Sequence, residues 1–280
     1  MKKDLILLHL AVMLFGLAGV ISKFISLPAI SVTFGRVFFS SIFLWILIKI
    51  KKENIRLIKK DYLVVIIAGI ILALHWYTFI KSIQTASVAI GTLTFSVFPL
   101  FVTFLEPLVF HESFNYKNIL IALIMLVGVM ITVPELSLNN HMTLGIVIGL
   151  ISALSYACLC LFNRYLSKSY SSRVICFYEQ ATATVILLPS LFLISVNYTY
   201  LDLSILIFLG IVCTAIAHSI YISSLKHINV QLAGLISGME SVYSIILAFI
   251  LLKQGLSLNE FVGGIVIIST SIYASIHSSH

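Results

Sequence analysis

Ten stretches of helix length run through this chain almost without charge: 5–25, 29–50, 62–82, 86–110, 118–134, 143–165, 173–196, 203–224, 228–252 and 258–277. Crossing the hydrocarbon layer of a bilayer takes about 20 residues of helix, so each stretch reads as a span. Outer-membrane barrel strands are much shorter and alternate in polarity. A soluble fold is excluded on supply: charged residues are only 10% of 280, too few to coat a globule with a polar skin. Mean hydropathy is correspondingly high, at +1.14. The expected fold is an all-α integral membrane protein with ten transmembrane helices. Met1-Lys2-Lys3-Asp4 before Leu5–Val20 resembles a secretory leader. The many spans that follow and the lack of a small-x-small cleavage site favour a first membrane helix, with no soluble domain at either end.

A net charge of +7 invites a nucleic-acid partner, but its placement points elsewhere. Lys49, Lys51, Lys52, Arg56, Lys59 and Lys60 crowd the loop between the second and third spans. With that loop in the cytoplasm, Lys2, Lys3, Lys117, Arg164, Lys168, Arg173 and Lys226 fall on the same side, and only Lys23, Lys81 and Lys253 on the other. The positive-inside rule then predicts a multi-pass protein of the cytoplasmic (inner) membrane with both termini cytoplasmic. Lipid is the surrounding partner, and nucleic acid is not expected. Self-association is neither indicated nor opposed.

Shifting the chain by 142 residues lays spans three to five on spans eight to ten without a gap. Ser82 falls on Ser224, Val88 on Val230, Leu93 on Leu235, Leu105 on Leu247 and Glu112 on Gln254. Phe110–Phe114 and Leu252–Leu256 take the same place between spans. Five spans is an odd number, so a second copy enters the membrane from the opposite face. The expectation is two inverted five-helix repeats, 1–135 and 143–280, an organisation that secondary transporters use with the substrate near midplane.

Ala73–Gly91 (Ala-Leu-His-Trp-Tyr-Thr-Phe-Ile-Lys-Ser-Ile-Gln-Thr-Ala-Ser-Val-Ala-Ile-Gly), then Phe98-Pro99 and Leu105-Glu106-Pro107, with Arg36 and Glu112, resemble the EamA-type branch of the drug/metabolite transporter superfamily. The second half echoes it in Leu225-Lys226-His227 and Met239-Glu240-Ser241. The resemblance implies ten helices in two inverted repeats, a cavity lined by helices one to four and six to nine, and a peripheral fifth helix in each repeat. Ser241 stands where that family usually has proline, and Gln254 where it usually has glutamate. These departures weaken the expectation of a broken ninth helix and of a charge at the second loop.

Polar side chains at membrane depth are costly, and they mark the places to seek function. Glu240 lies about twelve residues into the ninth span, roughly 18 Å along a helix and so near midplane. It suits proton coupling or a substrate amine; otherwise it is a hydrogen-bonded strut. His75 and His218 are candidate proton relays or interhelical hydrogen bonders. Arg36 offers a planar fork for a carboxylate or phosphate, or else pairs with an acid or snorkels. By position Arg36 and His75 lie outward, His218 inward and Glu240 between. Glu179 reads as a structural partner. Phe15, Trp76, Tyr77, Phe98, Tyr156 and Tyr178 are candidate pocket walls, although aromatics also serve as plain packing. The GxxxG spacings Gly145–Gly149 and Gly234–Gly238 permit close helix contact.

Cys158, Cys160, Cys176 and Cys213 form no CxxC pair. HExxH, GxSxG and Walker A motifs are absent from the sequence. The expected function is therefore a non-enzymatic secondary transporter of a small organic metabolite, amino-acid-like or drug-like, without a cofactor or metal. It would work by alternating access, with protons as a candidate coupling ion. A passive channel, a lipid flippase and an intramembrane enzyme are the alternatives.

Overall fold

A computed structural model describes residues 2–111, 116–132, 140–228 and 230–277. These residues are mostly helical, and no strand occurs among them. The helices are α1 (Lys2–Ile21), α2 (Ala29–Ile50), α3 (Lys59–Thr85), α4 (Val88–Phe95), α5 (Phe98–Phe110), α6 (Tyr116–Thr132) and α7 (His141–Ser167). Then follow α8 (Ser172–Leu187), α9 (Ser190–Leu193), α10 (Tyr200–Gly210), α11 (Ala217–Ser224), α12 (Val230–Ser237), α13 (Met239–Leu252) and α14 (Leu258–His277). Seven helical runs are long and apolar enough to cross a bilayer, and three shorter apolar helices accompany them: Ile119–Thr132, Met239–Leu252 and Leu258–Thr270.

Local chemistry sets several ends. Ser87 caps α4 through Ile90 N, Asn140 caps α7 through Met142 N, and Ser171 caps α8 through Val174 N. Thr199 and Asp202 form a reciprocal capping box, which starts α10 at Tyr200, three residues before the apolar run predicts. Helices α5 and α13 each stop on a left-handed residue, His111 (φ 55°) and Lys253 (φ 53°).

Two apolar runs are interrupted. The run 88–110 breaks at Ser96–Val97, with Pro99 in the first turn of α5, where its missing N–H goes unneeded. The run 230–252 breaks at Gly238 although Ser241 replaces the family's proline. The interruption leaves α13 with 14 residues. The two breaks touch: Ser96 Oγ and Ser241 Oγ lie 2.6 Å apart. Between α10 and α11, Ile211–Ile216 widens into a π turn.

Helix α3 packs along α7, α8 against α2 and α3, α1 against α11 and α13, and α6 against α14. Lipid leaves little hydrophobic drive between helices, so close approach matters most. Gly145 and Gly149 serve that purpose: a Cβ on Gly145 would lie 2.6 Å from Ala86 Cβ, and one on Gly149 3.0 Å from Thr94 Cβ. Outward-facing side chains are apolar along the bundle, among them Ile6, Leu63, Ile70, Leu108, Leu123, Val185 and Ile250.

The start of α1, the 51–58 loop and the α7–α8 connection share one end of the bundle. There Glu53 accepts from Ser171 Oγ at 2.6 Å and pairs with Arg173. Tyr170 Oη donates to Asp61 at 2.6 Å, and Tyr178 Oη donates to Ile55 O at 3.0 Å. Asp4 faces His227 at this same end, 3.6 Å away. At the opposite end Ser87 Oγ donates to Glu260 at 3.1 Å.

Candidate functional site

A narrow cavity of about 20 Å³ lies inside the bundle, walled by Phe15 and Ala18 of α1, Arg36 of α2, His75, Trp76 and Phe79 of α3, Phe95 of α4, Tyr156 of α7, His218 of α11 and Glu240 of α13. That is room for about one water, well below a ligand site, so a metabolite would enter only as the walls part. Residues that the sequence places at outward, middle and inward positions border this one space.

Arg36 is almost wholly buried. Its Nε donates to Thr214 Oγ1 at 3.0 Å, and its guanidinium lies 4.1 Å from the centroid of Trp76. The π turn brings Thr214 there. One extra residue per turn shifts the helix register, a device common at functional sites. Cation–π contact adds about 0.5–2 kcal/mol, more when the site is dry. Arg36 therefore rests on a hydroxyl and a ring rather than on an acid.

Glu240 lines the same space. It stands in the first turn of α13, whose amino end is created by the break at Gly238. A helix amino terminus carries a partial positive charge, which favours a carboxylate within the bilayer by about 0.3–2 kcal/mol. Gly16 admits α1 to this spot: a Cβ there would lie 3.0 Å from Glu240 O and 2.8 Å from Ser244 Oγ.

His75 is held by α7. Its Nδ1 is 3.1 Å from Ser152 O and 2.9 Å from Ser152 Oγ, while Ser152 Oγ donates to His75 O. A carbonyl only accepts, so Nδ1 carries the hydrogen, and in the neutral ring Nε2 is left as an acceptor. The ring packs on Tyr156 and Phe95, with centroids 4.7 and 5.2 Å away. His218 instead approaches Glu179, Nε2 to Oε2 at 3.2 Å, and tilts against Phe15 and Trp76.

Of the residues singled out by sequence, Arg36, His75, Trp76, His218, Glu240, Phe15 and Tyr156 meet on this cavity. Three do not. Tyr77 is half-buried and packs against the apolar core, since neighbours on a helix project about 100° apart. Phe98 is buried one layer behind, 4.9 Å from Tyr156. Tyr178 belongs to the loop contacts at the bundle end. Glu112 lies outside the described residues. The wall residues not anticipated are Ala18, Phe79 and Phe95, with Thr214 and Ser152 as supports. Phe79 was findable, three and four residues after Trp76 and His75 on one helix face.

A sequence-family model for EamA-like transporters matches the chain twice, over residues 2–133 and 143–276. The chain belongs to the EamA-like transporter family. Together with its apolar helices, this makes it a multi-pass membrane protein and a transporter. An uncharacterized transporter from Archaeoglobus fulgidus is similar to this EamA-like protein, at 25% identity over 197 residues, 70% of each chain. A solved crystal structure shares the fold, with TM-score 0.74 and 17% identity, covering 98% of this chain and 97% of the other.

Proposed function

We propose that this EamA-like protein is a secondary carrier for a small zwitterionic metabolite, amino-acid-like and with an apolar or aromatic side chain. One observation carries the reading: the guanidinium of Arg36 and the carboxyl group of Glu240, both buried, border one aromatic-walled cavity without pairing to each other. A substrate carboxylate would take the Arg36 fork, a substrate amine Glu240, and the rings of Phe15, Trp76, Phe95 and Tyr156 the side chain. Each buried charge would then gain a partner, which favours binding by relieving its isolation.

Alternating access follows from an architecture of two inverted five-helix repeats, 1–135 and 143–280, in the cytoplasmic membrane with both termini inside. The twofold family match supports this arrangement. So do the paired irregularities: the breaks at Ser96 and Gly238, and the left-handed caps at His111 and Lys253, are each separated by 142 residues, the offset found in the sequence. Glu240, His75 and His218 are the groups through which a proton gradient would couple.

The test is thermal stabilisation of the purified protein by a panel of amino acids, amines and carboxylates. A zwitterion at 100 times its Kd adds about 2.7 kcal/mol. Loss of that gain in both Arg36→Gln and Glu240→Gln is expected; a gain unchanged in either removes the site assignment. Counterflow in proteoliposomes distinguishes a carrier from a channel. Uptake indifferent to an imposed pH gradient removes proton coupling.

A further inference from the structure

Beside the cavity, Cys176 and Glu179 stand three residues apart on one face of α8, and His218 of α11 faces them. One ligand atom from each lies within 4.8 Å of the others, and all three side chains are buried. A tetrahedral zinc site needs ligand atoms about 3.5 Å apart, given metal bonds of about 2.0–2.3 Å. Side-chain shifts of about 1 Å would close the triad.

A second observation points the same way. Glu179 Oε2 meets His218, but Glu179 Oε1, fully buried, has no hydrogen-bond partner. Asn163 of α7 lies beside this carboxylate, and its buried Oδ1 is also without a partner. A carboxylate oxygen left unsatisfied inside a membrane bundle is costly. A cation would satisfy it.

We propose that Cys176, Glu179 and His218 form a site for a borderline-soft divalent transition ion, of the zinc or cobalt type, with Asn163 Oδ1 or water in the fourth position. The donor set of sulfur, nitrogen and carboxylate oxygen excludes magnesium and calcium, which prefer six or more oxygens. Charge agrees with the assignment. The Cys176 thiol gives its proton to solvent as the sulfur–metal bond forms, so one thiolate and one carboxylate neutralise the dication. The loaded site carries no net charge, which is what a low-dielectric interior demands. No oxidation state changes. The ion would tie α8 to α11, and His218 would then belong to both the metal and the cavity wall.

The site stands apart from the transport reading, because its test measures metal binding alone. Cobalt(II) is titrated into the purified full-length protein under reducing conditions. One equivalent should give a sulfur-to-cobalt charge-transfer band, displaced by zinc. Cys176→Ser should abolish the band and Cys213→Ser should keep it. Cys176→His should bind one equivalent without the band, which separates lost ligation from lost folding. Glu179→Gln should keep the band and weaken binding by about tenfold or more. A wild-type protein without the band, or a band that survives Cys176→Ser, overturns the proposal, as does Glu179→Gln binding at wild-type affinity.

Discussion

Arg36 and Glu240 border the same buried cavity, yet Arg36 rests on Thr214 and Trp76, and no ion pair joins the two charges. Pairing them directly would have filled the space with a salt bridge. Holding the guanidinium by a hydroxyl and a ring fixes its direction while leaving its remaining N–H groups for another acceptor.

Thr214→Val tests this arrangement. The substitution nearly conserves shape but removes the acceptor for Arg36 Nε, at a cost of about 1.5–3 kcal/mol for a bond to a charged group. Binding of a carboxylate-bearing ligand should weaken by roughly tenfold or more, since about 1.4 kcal/mol is a factor of ten. Isothermal titration against wild type reads it directly. An unchanged Kd would show that Thr214 does not orient Arg36.

Gly16→Val should destabilise the fold by about 1–3 kcal/mol through overpacking, because the new Cβ meets Ser244 Oγ and Glu240 O. Gly255→Ala, with nothing within 4 Å of its Cβ, should change stability by less than about 0.5 kcal/mol. Unfolding in mild detergent compares the pair. Equal effects would contradict the close approach of α1 to α13.

The Glu53 clip should respond to acid. Burial alone would raise its carboxyl, but hydrogen bonds from Ser171 and Arg173 outweigh that and hold it below the ordinary value of 4.5. A depressed folded-state pKa gives stability that is full above the unfolded value and lost as pH falls through the folded one. The gap between wild type and Glu53→Gln, about 1 kcal/mol for a partly exposed pair, should hold at neutral pH and shrink only below 4.5. Thermal unfolding across that range checks it. A gap that is constant down to the lowest pH would rule out the carboxylate as its source.

Glu260 offers a matching test at the other end, where it accepts from Ser87 Oγ at 3.1 Å and from Ser257 N at 2.7 Å. Glu260→Ala should destabilise by about 1–2 kcal/mol, the range for a lost cap, and raise amide exchange at the starts of α4 and α14. Unchanged exchange at Ile90 would show that Ser87 caps α4 without help.

Much of this was legible from residue types, and the reasons are physical. A bilayer punishes buried charge, so Arg36, His75, His218 and Glu240 stood out in the sequence, and the cavity gathers all four. The 142-residue offset read from span spacing recurs in the breaks at Ser96 and Gly238 and in the left-handed caps at His111 and Lys253. Tyr77, Phe98 and Tyr178 were misplaced because aromatic character says nothing of helix face or depth. The π turn before Ala217 escaped because one extra residue in a turn leaves no mark on composition. The break at Gly238 was doubted for want of a proline, although a glycine followed by an acidic first turn ends one helix and opens another as well.

The contacts of the 51–58 loop with Ser171, Arg173, Tyr170 and Tyr178 join the two halves of the chain through groups at the end of the bundle rather than in its apolar middle. A fastener in that position answers to the solution. Dissolved ions weaken it, whereas bilayer thickness leaves it largely untouched. In the proposed alternating-access cycle the halves would part there, and ionic strength on that side would then act as a throttle on turnover, far from the cavity and without any ligand of its own.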